Sequence, residues 1–180
     1  MATKGLANLH YAIMTTEDTA TTAATYSTPK RLVGINSVSI QPNNETATLY
    51  GDNKALATVT NTKEYTINLD LADLPLEDEA ALLGHTYESD TMIVKGNDTP
   101  PYVAIMFDID THHDKEKEYR KYYKGKFAPS NQDVNTRGET TEFAVRALEA
   151  TFVARNNDDK VVDIEVTTDV AVATSWYASV

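Results

Sequence analysis

Cysteine is absent from this chain of 180 residues, which excludes disulfide frameworks, zinc sites built from thiolates and cysteine nucleophiles. The sequence also lacks a glycine-rich phosphate loop, a G-x-S-x-G elbow and an H-E-x-x-H helix, so no catalytic residue and no cofactor or metal site is predicted. No apolar run approaches the roughly 20 residues that span a bilayer, and the opening stretch has no apolar core of signal-peptide length. These absences predict a protein that is not an enzyme and that folds in a cytoplasm.

Positive charge is also scarce, because 16 basic residues face 27 acidic ones and the formal net charge is -11. A field of this sign repels phosphates at long range, which argues against general affinity for DNA or anionic lipid. The same charge keeps a free subunit soluble. The length predicts one domain, residues 1–180, that is large enough to bury its own hydrophobic core.

The residues that are present favour β-strands, since threonine is abundant and ten tyrosines outnumber four phenylalanines. The clearest strand covers residues 63–71, where apolar and polar side chains alternate with a period of two. At about 30 Å it is longer than a compact domain of this size needs. Six further strands are predicted, the first with a bulge near Gly34 and Asn36: residues 32–40, 91–94, 102–109, 119–127, 143–155 and 161–166.

Residues 41–62 form a polar segment between two of these strands. They contain two short strand-like pieces on either side of a Gly51-Asp52-Asn53 turn, which is the pattern of a β-hairpin. A hairpin this polar contributes little to a core. We therefore expect it to project from the domain as an extended arm.

One short helix interrupts the strands, at about residues 73–83 in the stretch ADLPLEDEAALLGHT. Asp73 is predicted to cap its first amides, Pro75 suits its first turn, and Gly84 supplies a left-handed exit. Its apolar residues form one narrow stripe, so we expect it to cover a face or open end of a sheet with its acidic side in water. The predicted fold is a mainly β, antiparallel β-sandwich or barrel that is flanked by this helix.

The stretch DIDTHHDKE is the most metal-like cluster, with Asp108, Asp110, His112, His113 and Asp114 close together. Its spacing matches neither a calcium-binding loop nor the helix of a zinc protease. Carboxylates at the end of a strand followed by two histidines are also an ordinary polar turn. The turn is therefore favoured over a metal-dependent enzyme centred on Asp108, Asp110 and His112.

The segment KEKEYRKYYKGK mixes basic residues with tyrosines, as proteins that bind single-stranded nucleic acid do. The acidic total disfavours that function and favours pairing of this segment with an acidic surface on another copy of the chain. Strand alternation predicts an aromatic face toward the core and a basic face that is solvated or lies at an interface. The aromatic face would carry Tyr119, Tyr123 and Phe127, and the basic face Arg120, Lys124 and Lys126.

Five segments that span nearly the whole chain form an ordered set without a catalytic motif: KGLANLHYAIMT (4–15), ADLPLEDEAALLGHT (72–86), TPPYVAIMFD (99–108), YYKGKF (122–127) and ATFVARNND (150–158). In this order they resemble the major tail protein (tail tube protein) family of siphophages, the long-tailed, non-contractile phages. Some members of that family carry an added immunoglobulin-like domain at the C-terminus. This chain stops at Val180, and we expect no such domain.

The resemblance implies a structural virion protein that assembles with itself. Subunits would close into hexameric rings, the rings would stack into the tail tube, and DNA would pass through the lumen without specific binding during ejection into the host. The expected partners are further copies of the chain, the tape-measure protein, a tail chaperone, and the tail terminator and distal tail proteins. Assembly would take place in the host cytoplasm, without a membrane.

The resemblance also assigns two sets of residues. The lumen would repel phosphate, which fits the acidic balance, and the candidates to face it are Glu64, Asn68 and Asp70. The candidates for contacts between subunits lie in the arm, in the basic strand and near the C-terminus: Asn43, Asn44, Tyr50, Asp52, Asn53, Lys124, Lys126, Trp176 and Tyr177.

A binding module is the alternative to a tube subunit. A β-sandwich from another part of a phage tail would recognise carbohydrate or a host surface through an exposed aromatic platform. Tyr122, Trp176 and Tyr177 are the candidates for such a platform. The aromatic pair near the C-terminus is also compatible with simple packing, because the stretch VAVATSWYASV is too apolar to project into water.

Overall fold

A computed structural model describes residues 3–52, 54–112, 116–129 and 145–180. Over these ranges the chain is mainly β and antiparallel, with two short helices, which confirms the fold class predicted from the sequence. The strands are β1 (Thr3–Thr16), β2 (Thr25–Tyr26), β3 (Lys30–Arg31), β4 (Ile35–Gly51), β5 (Lys54–Leu71), β6 (Thr86–Glu88), β7 (Thr91–Ile93), β8 (Val103–Thr111), β9 (Lys117–Pro129), β10 (Arg146–Val153) and β11 (Val162–Thr167). The helices are α1 (Leu76–Leu83) and α2 (Val170–Trp176).

One antiparallel sheet contains nine of these strands, in the order β2-β1-β8-β9-β10-β5-β4, with β3 paired to β1 and β11 paired to β9. Strands β6 and β7 form a separate hairpin that contacts α1. Strand β8 lies at the centre of the sheet, and its first six residues are buried, as its continuous apolar run predicts. Buried side chains from five strands (β1, β5, β8, β9 and β10) and α1 meet in one hydrophobic core, and partly buried residues of β4 and β11 pack against it.

The sheet curls so that its two ends approach each other without joining. A groove of about 340 Å³ separates the start of β1 from the start of β4, and apolar side chains such as Leu6, Ile40 and Phe107 line it. Over the described ranges, no strand pairs with the outer edge of β4, and β10 covers β5 only from Glu64 onward. These edges carry backbone groups that another strand could pair with.

Strands β4 and β5 pair along their whole length and run past the sheet as a two-stranded arm. The predicted hairpin at 41–62 is confirmed, but its strands are continuous with those of the body rather than separate short pieces. At the tip Asp52 adopts a left-handed conformation, and Asn53 lies outside the described residues. The predicted bulge is confirmed at Asn36 by a register shift between Ile35 and Ser37.

The other strand predictions are confirmed with shifted ends. Residues 63–71 lie within β5, 91–94 within and beside β7, 102–109 largely within β8, 119–127 within β9, and 161–166 largely within β11. The strand predicted at 143–155 is shorter, because β10 begins at Arg146 and ends at Val153, while residues 143–144 lie outside the described ranges.

Strand β1 is not predicted by any period-two pattern, although it is 14 residues long. Its alternation breaks in the middle, where Asn8 has a φ of 54° and the pairing with β8 shifts register between Ala7 and His10. An irregularity of this kind moves the following side chains to the opposite face of the sheet. The alternation of apolar and polar residues can therefore be recognised only in two short pieces, one on each side of Asn8.

Helix α1 begins at Leu76, three residues later than predicted. Pro75 rather than Asp73 occupies the N-cap position, and no side chain caps the first amides, so the predicted role of Asp73 is wrong. Gly84 ends the helix with a φ of 74°, as predicted. A Cβ at this position would lie 2.3 Å from the carbonyl oxygen of Thr99, which excludes any larger residue.

The acidic side of α1 lies partly against the sheet, which corrects the prediction that it faces water. Asp78 is buried, accepts a hydrogen bond of 2.6 Å from the hydroxyl of Tyr11, and pairs with Lys30 at 2.7 Å. Glu79 pairs with Arg146. The helix is therefore held by ion pairs to β3 and β10 and by a hydrogen bond to β1, in addition to its apolar contacts.

The predicted side-chain faces of β9 are wrong for Tyr119 and Tyr123, because the strand contains a bulge. The pairing with β8 shifts register between Tyr122 and Gly125, which changes the side to which later residues point. Tyr122 and Phe127 consequently share the core face. Tyr119 and Tyr123, predicted to face the core with Phe127, lie on the opposite face beside the C-terminal segment and β11.

Candidate functional site

The residues predicted to face a lumen share one face of β5, on the side of the sheet away from the core: Glu64, Asn68 and Asp70. The flanking strands extend this face with more polar groups. Ser37 donates a hydrogen bond of 2.5 Å to Asp70, Asn43 donates one of 3.0 Å to Glu64, and Glu149 lies opposite Asn68. Strands β4, β5 and β10 thus form one polar face.

The polar face lacks the features that bind nucleic acid. Its acidic side chains, Glu64, Asp70 and Glu149, repel phosphate. Along the paired lengths of β4, β5 and β10 the register places no aromatic side chain on this side of the sheet, so bases have no ring to stack on there.

The arm carries most of the predicted interface residues. Asn43 donates to Glu64, and Asn44 accepts a hydrogen bond of 2.6 Å from Thr62, so both amides stabilise the pairing of β4 with β5. The side chain of Tyr50 is 71% exposed near the tip. Asp52 is exposed at the turn. The arm is therefore an exposed ribbon, and the amides of Asn43 and Asn44 form their hydrogen bonds within it.

The predicted solvated basic face of β9 is wrong for Lys124, whose side chain is buried. Lys124 lies 2.5 Å from the carboxylate of Asp18, and Arg120 lies 2.5 Å from that of Glu118. Lys126 lies over the ring of Tyr102, 4.3 Å from its centroid. Much of the positive charge of β9 is thus used within the subunit, while contacts of Lys124 and Lys126 with a neighbour stay a prediction.

Asp18 is the centre of the most buried ion pair in the described part of the chain. Burial acts to raise the pKa of its carboxyl, but the hydrogen bonds from Lys124 and from the backbone amide of Asn156 lower it below the ordinary value. These contacts join the loop after β1 to β9 and to the turn after β10. Sequence reasoning did not find this pair, because the partners are 106 positions apart.

The C-terminal aromatic residues pack against the sheet. The hydroxyl of Tyr177 donates a hydrogen bond of 2.7 Å to the buried Asp108, and its ring stacks on His10 at 4.4 Å. Burial and the bond to Asp108 raise the pKa of Tyr177. Trp176 lies beside Tyr119, with ring centroids 5.9 Å apart. These rings fill the space between the C-terminal segment and the outer face of β1 and β9.

This packing argues against the predicted aromatic platform. Tyr122 is only 1% exposed and belongs to the core, so it cannot contact a ligand. Tyr177 is half-buried and held at both its hydroxyl and its ring. A cleft of about 560 Å³ lies beside it, and Tyr177 lines this cleft together with Tyr119, Arg31 and Asp169.

The predicted metal-like cluster takes part in hydrogen bonds within the subunit. Asp108 accepts hydrogen bonds from Lys117, at 2.6 Å, and from Tyr177, so both of its oxygens are engaged. The hydrogen bond to Asp108 raises the pKa of Lys117. The described residues hold no group of three potential metal ligands, and His113 and Asp114 lie outside them.

These features define a class of protein. The described residues combine unpaired sheet edges, a projecting arm and an extended polar face, and Asp108, Tyr122 and Tyr177 make their contacts within the subunit. Such a subunit is built to assemble. Within the described ranges no helix is both long and apolar enough to cross a membrane.

Comparison with known families identifies the assembly. A family profile described as phage tail tube protein matches residues 1–160 of the 180, and the chain belongs to that family. It is a structural component of the phage tail, a subunit that assembles with itself and with other tail proteins into a tube. A search of curated proteins found no match to the chain.

Proposed function

We propose that this chain is the repeating subunit of the tail tube of a long-tailed, non-contractile phage. Six copies close into a ring, rings stack along the tail, and the polar face lines the lumen through which DNA leaves for the host. The tube forms in the host cytoplasm around a tape-measure protein, with a tail chaperone, and ends in terminator and distal tail proteins.

The observation that carries this proposal is the pair of open ends of the sheet. Among the residues that the structure describes, the outer edge of β4 has no partner strand, and the sheet stops short of closing on β1. Edges of this length promote uncontrolled association unless a specific partner covers them. A head-to-tail contact between identical copies covers one edge per subunit and closes into a ring when the rotation allows.

The polar face supports the assignment of the lumen. When β4 of one subunit pairs with the sheet of the next, the faces of neighbouring subunits join into one surface. A surface that carries Glu64, Asp70 and Glu149 from every copy holds DNA away from the wall. Glu64, Asn68 and Asp70 are therefore retained as the candidates for the lumen.

Negative-stain electron microscopy of the concentrated purified protein tests the proposal. We expect rings or hollow tubes of uniform diameter, with six subunits per ring in averaged end views. Particles that stay monomeric at every concentration, even with other tail proteins of the phage added, would contradict it. Averaged end views with a different rotational symmetry would contradict the proposed number of six subunits per ring but not the proposed tube.

A further inference from the structure

Residues 168–180 form a strap across the outer face of β1, β8 and β9, which is the face of these strands that points away from the hydrophobic core. The strap contains α2 and the residues that follow it. None of its described side chains belongs to the hydrophobic core. It also lies beyond residues 1–160, which match the family profile. Its role therefore does not follow from membership of that family.

Two side chains and one carbonyl group near the end of the strap contact the sheet. Tyr177 donates its hydrogen bond of 2.7 Å to Asp108, and the ring of Trp176 lies 4.9 Å from Nζ of Lys121. The same Nζ donates a hydrogen bond of 2.8 Å to the carbonyl oxygen of Ser179. The strap thus reaches both β8 and β9 through these contacts.

The strap covers a second, smaller buried region. Met106 of β8 is 0% exposed, and it points away from the core because its neighbours Ile105 and Phe107 belong to the core. The register places Met106 between His10 of β1 and Lys121 of β9. The strap contacts both of these flanking side chains, so it lies over Met106. Lifting the strap would expose this region and leave the hydrophobic core closed.

The cleft of about 560 Å³ lies between the strap and the sheet. Residues 167–169, Thr174 and Tyr177 line it from one side, and residues of β1, β3 and β9 line it from the other. Ala171 and Ser175 of α2 are exposed. Part of the strap is therefore not packed against the sheet, although its end is.

Closure of the strap buries polar groups at a cost. The indole Nε1 of Trp176 is buried, and it has no hydrogen-bond partner among the described residues. The ammonium of Lys121 is buried too, and over the same ranges it forms no ion pair. Burial lowers the pKa of Lys121, so the closed strap disfavours its charged form. These costs offset part of what the ring contacts contribute.

We propose that the strap opens and closes on the outer face of β1, β8 and β9 while the rest of the sheet stays folded, and that it thereby controls access to this face. Opening returns the indole of Trp176 and the ammonium of Lys121 to water and frees the chain of the strap. Closing restores the ring contacts and the hydrogen bond to Asp108. Helix α2 is short and rich in valine, so it has little stability of its own once it leaves the sheet.

Trp176 is the single tryptophan of the chain, so its fluorescence reports on the strap directly. A urea titration of unassembled full-length subunits, followed by tryptophan fluorescence and by far-ultraviolet circular dichroism, tests the proposal. We expect the emission to shift to longer wavelength at a lower urea concentration than the loss of the dichroism signal, because the strap opens before the sheet unfolds. Coincident transitions would overturn the proposal, since the strap and the sheet would then unfold as one unit.

Two substitutions should move the strap transition in opposite directions. Tyr177→Phe removes the hydrogen bond to the buried Asp108 and should raise the open fraction about tenfold or more. Lys121→Met removes the buried ammonium and keeps an apolar side chain beside Trp176, so it should shift the strap transition to higher urea. Both variants should leave the midpoint of the dichroism transition nearly unchanged.

Tyr87→Phe is the matched control, because it removes an exposed tyrosine hydroxyl that donates to Asp90 in the β6–β7 hairpin. It should leave both transitions unchanged. Equal lowering of both midpoints by Tyr177→Phe would overturn the proposal. A lower strap midpoint for Lys121→Met would also overturn it, since Lys121 would then hold the strap closed. The titration uses unassembled subunits, so its outcome is independent of whether the chain forms tubes.

Discussion

At the scale of single residues, buried charges connect distant parts of the chain. The Asp18–Lys124 pair is the clearest case, since the two side chains are 0% and 7% exposed and lie 2.5 Å apart. Desolvation makes such a pair a weak source of net stability, but it makes the loss of one partner costly. The exposed pair of Glu45 with Lys63 in the arm provides a matched contrast.

Asp18→Asn is expected to destabilise the subunit by roughly 3 kcal/mol, because it leaves the ammonium of Lys124 buried without a counter-charge. Urea denaturation of unassembled subunits measures this loss. Glu45→Gln, which breaks the exposed pair, is the control and should leave the midpoint unchanged. Equal midpoints for Asp18→Asn and the wild type would show that the pair is not buried as described.

The loss of stability caused by Asp18→Asn is expected to depend on pH. The pKa of Asp18 is lower in the folded chain than its ordinary value, so its charge stabilises the fold above the unfolded pKa of about 4. This contribution is lost as the pH falls through the folded pKa. The difference in unfolding free energy between the wild type and Asp18→Asn should therefore be constant from pH 7 to about 5 and shrink below about 4. A difference that grows on acidification would reverse the assigned sign.

At the scale of elements, helix α1 seals part of the core. Leu82 and Leu83 are buried at 0% and 3% exposure, whereas Leu76 at the start of the helix is 39% exposed. The helix thus offers a buried and a partly exposed leucine on one short element. Its apolar contribution comes from the last turn, near the Gly84 exit.

Leu83→Asp is expected to lower the unfolding free energy by about 3 kcal/mol or more, because it places an unpaired carboxylate in the core. Leu76→Asp is the control and should change stability little, since that side chain already contacts water. Thermal melts followed by circular dichroism measure both. Similar melting temperatures for the two variants would mean that α1 is not packed through its last turn.

Deletion of residues 44–60 tests whether the arm is needed for assembly but not for folding. Asn43 and Glu64 are already paired, so residues 61–63 would serve as the new loop. The shortened subunit should keep its circular dichroism spectrum and melting temperature within a few degrees, because none of the arm's described side chains belongs to the core. It should form few or no tubes under the electron microscope. Global unfolding of the shortened chain, or normal tubes, would contradict this assignment.

The elements also show what the sequence can and cannot predict. Residues 63–71 alternate without interruption, and the structure places residues 64–71 of this stretch in regular pairing with β10. Strands β1 and β9 contain bulges, so their side chains change face in mid-strand and period-two counting fails at Asn8 and after Tyr122. Helix α2 is rich in valine, a poor helix former, and the available signal was the capping side chain of Asp169, which accepts a hydrogen bond of 2.8 Å from the amide of Ala171.

The candidate surface residues show a similar contrast between what a regular strand predicts and what long-range contacts decide. The three lumen candidates share a face because they lie two or four residues apart on one regular strand, which sequence alone predicts. The burial of Lys124 and the packing of Tyr177 depend on contacts with Asp18 and Asp108 from distant parts of the chain. Such contacts leave no local pattern, so the sequence predicted Lys124 on a solvated or interfacial face and left packing as one of several possibilities for Tyr177.

At the scale of the whole molecule, net charge opposes the association that the sheet edges promote. Each subunit carries -11, and identical copies repel one another until salt screens the field. Apolar and backbone contacts at the edges and the arm are much less sensitive to salt. The balance between subunit and tube therefore depends on ionic strength.

Raising the salt concentration should favour assembly. The Debye length falls from about 30 Å at 0.01 M to about 3 Å at 1 M salt, which removes most of the repulsion between subunits. Sedimentation of the protein across this range should show an increasing fraction of tubes. The hairpin-deleted subunit is the control and should stay unassembled. Tubes that dissociate as salt rises would show instead that opposite charges hold the subunits together.

The central claim is that the open edges of the sheet are completed by identical copies that enclose a hollow lumen. Electron cryo-microscopy of the assembled tube, at a resolution that separates strands, tests it most directly. The account predicts that β4 of every subunit pairs through its outer edge with a neighbouring subunit, and that Glu64, Asn68 and Asp70 line the lumen. A reconstruction in which the outer edge of β4 stays in solvent, or in which these three residues face the outside of the tube, would contradict it.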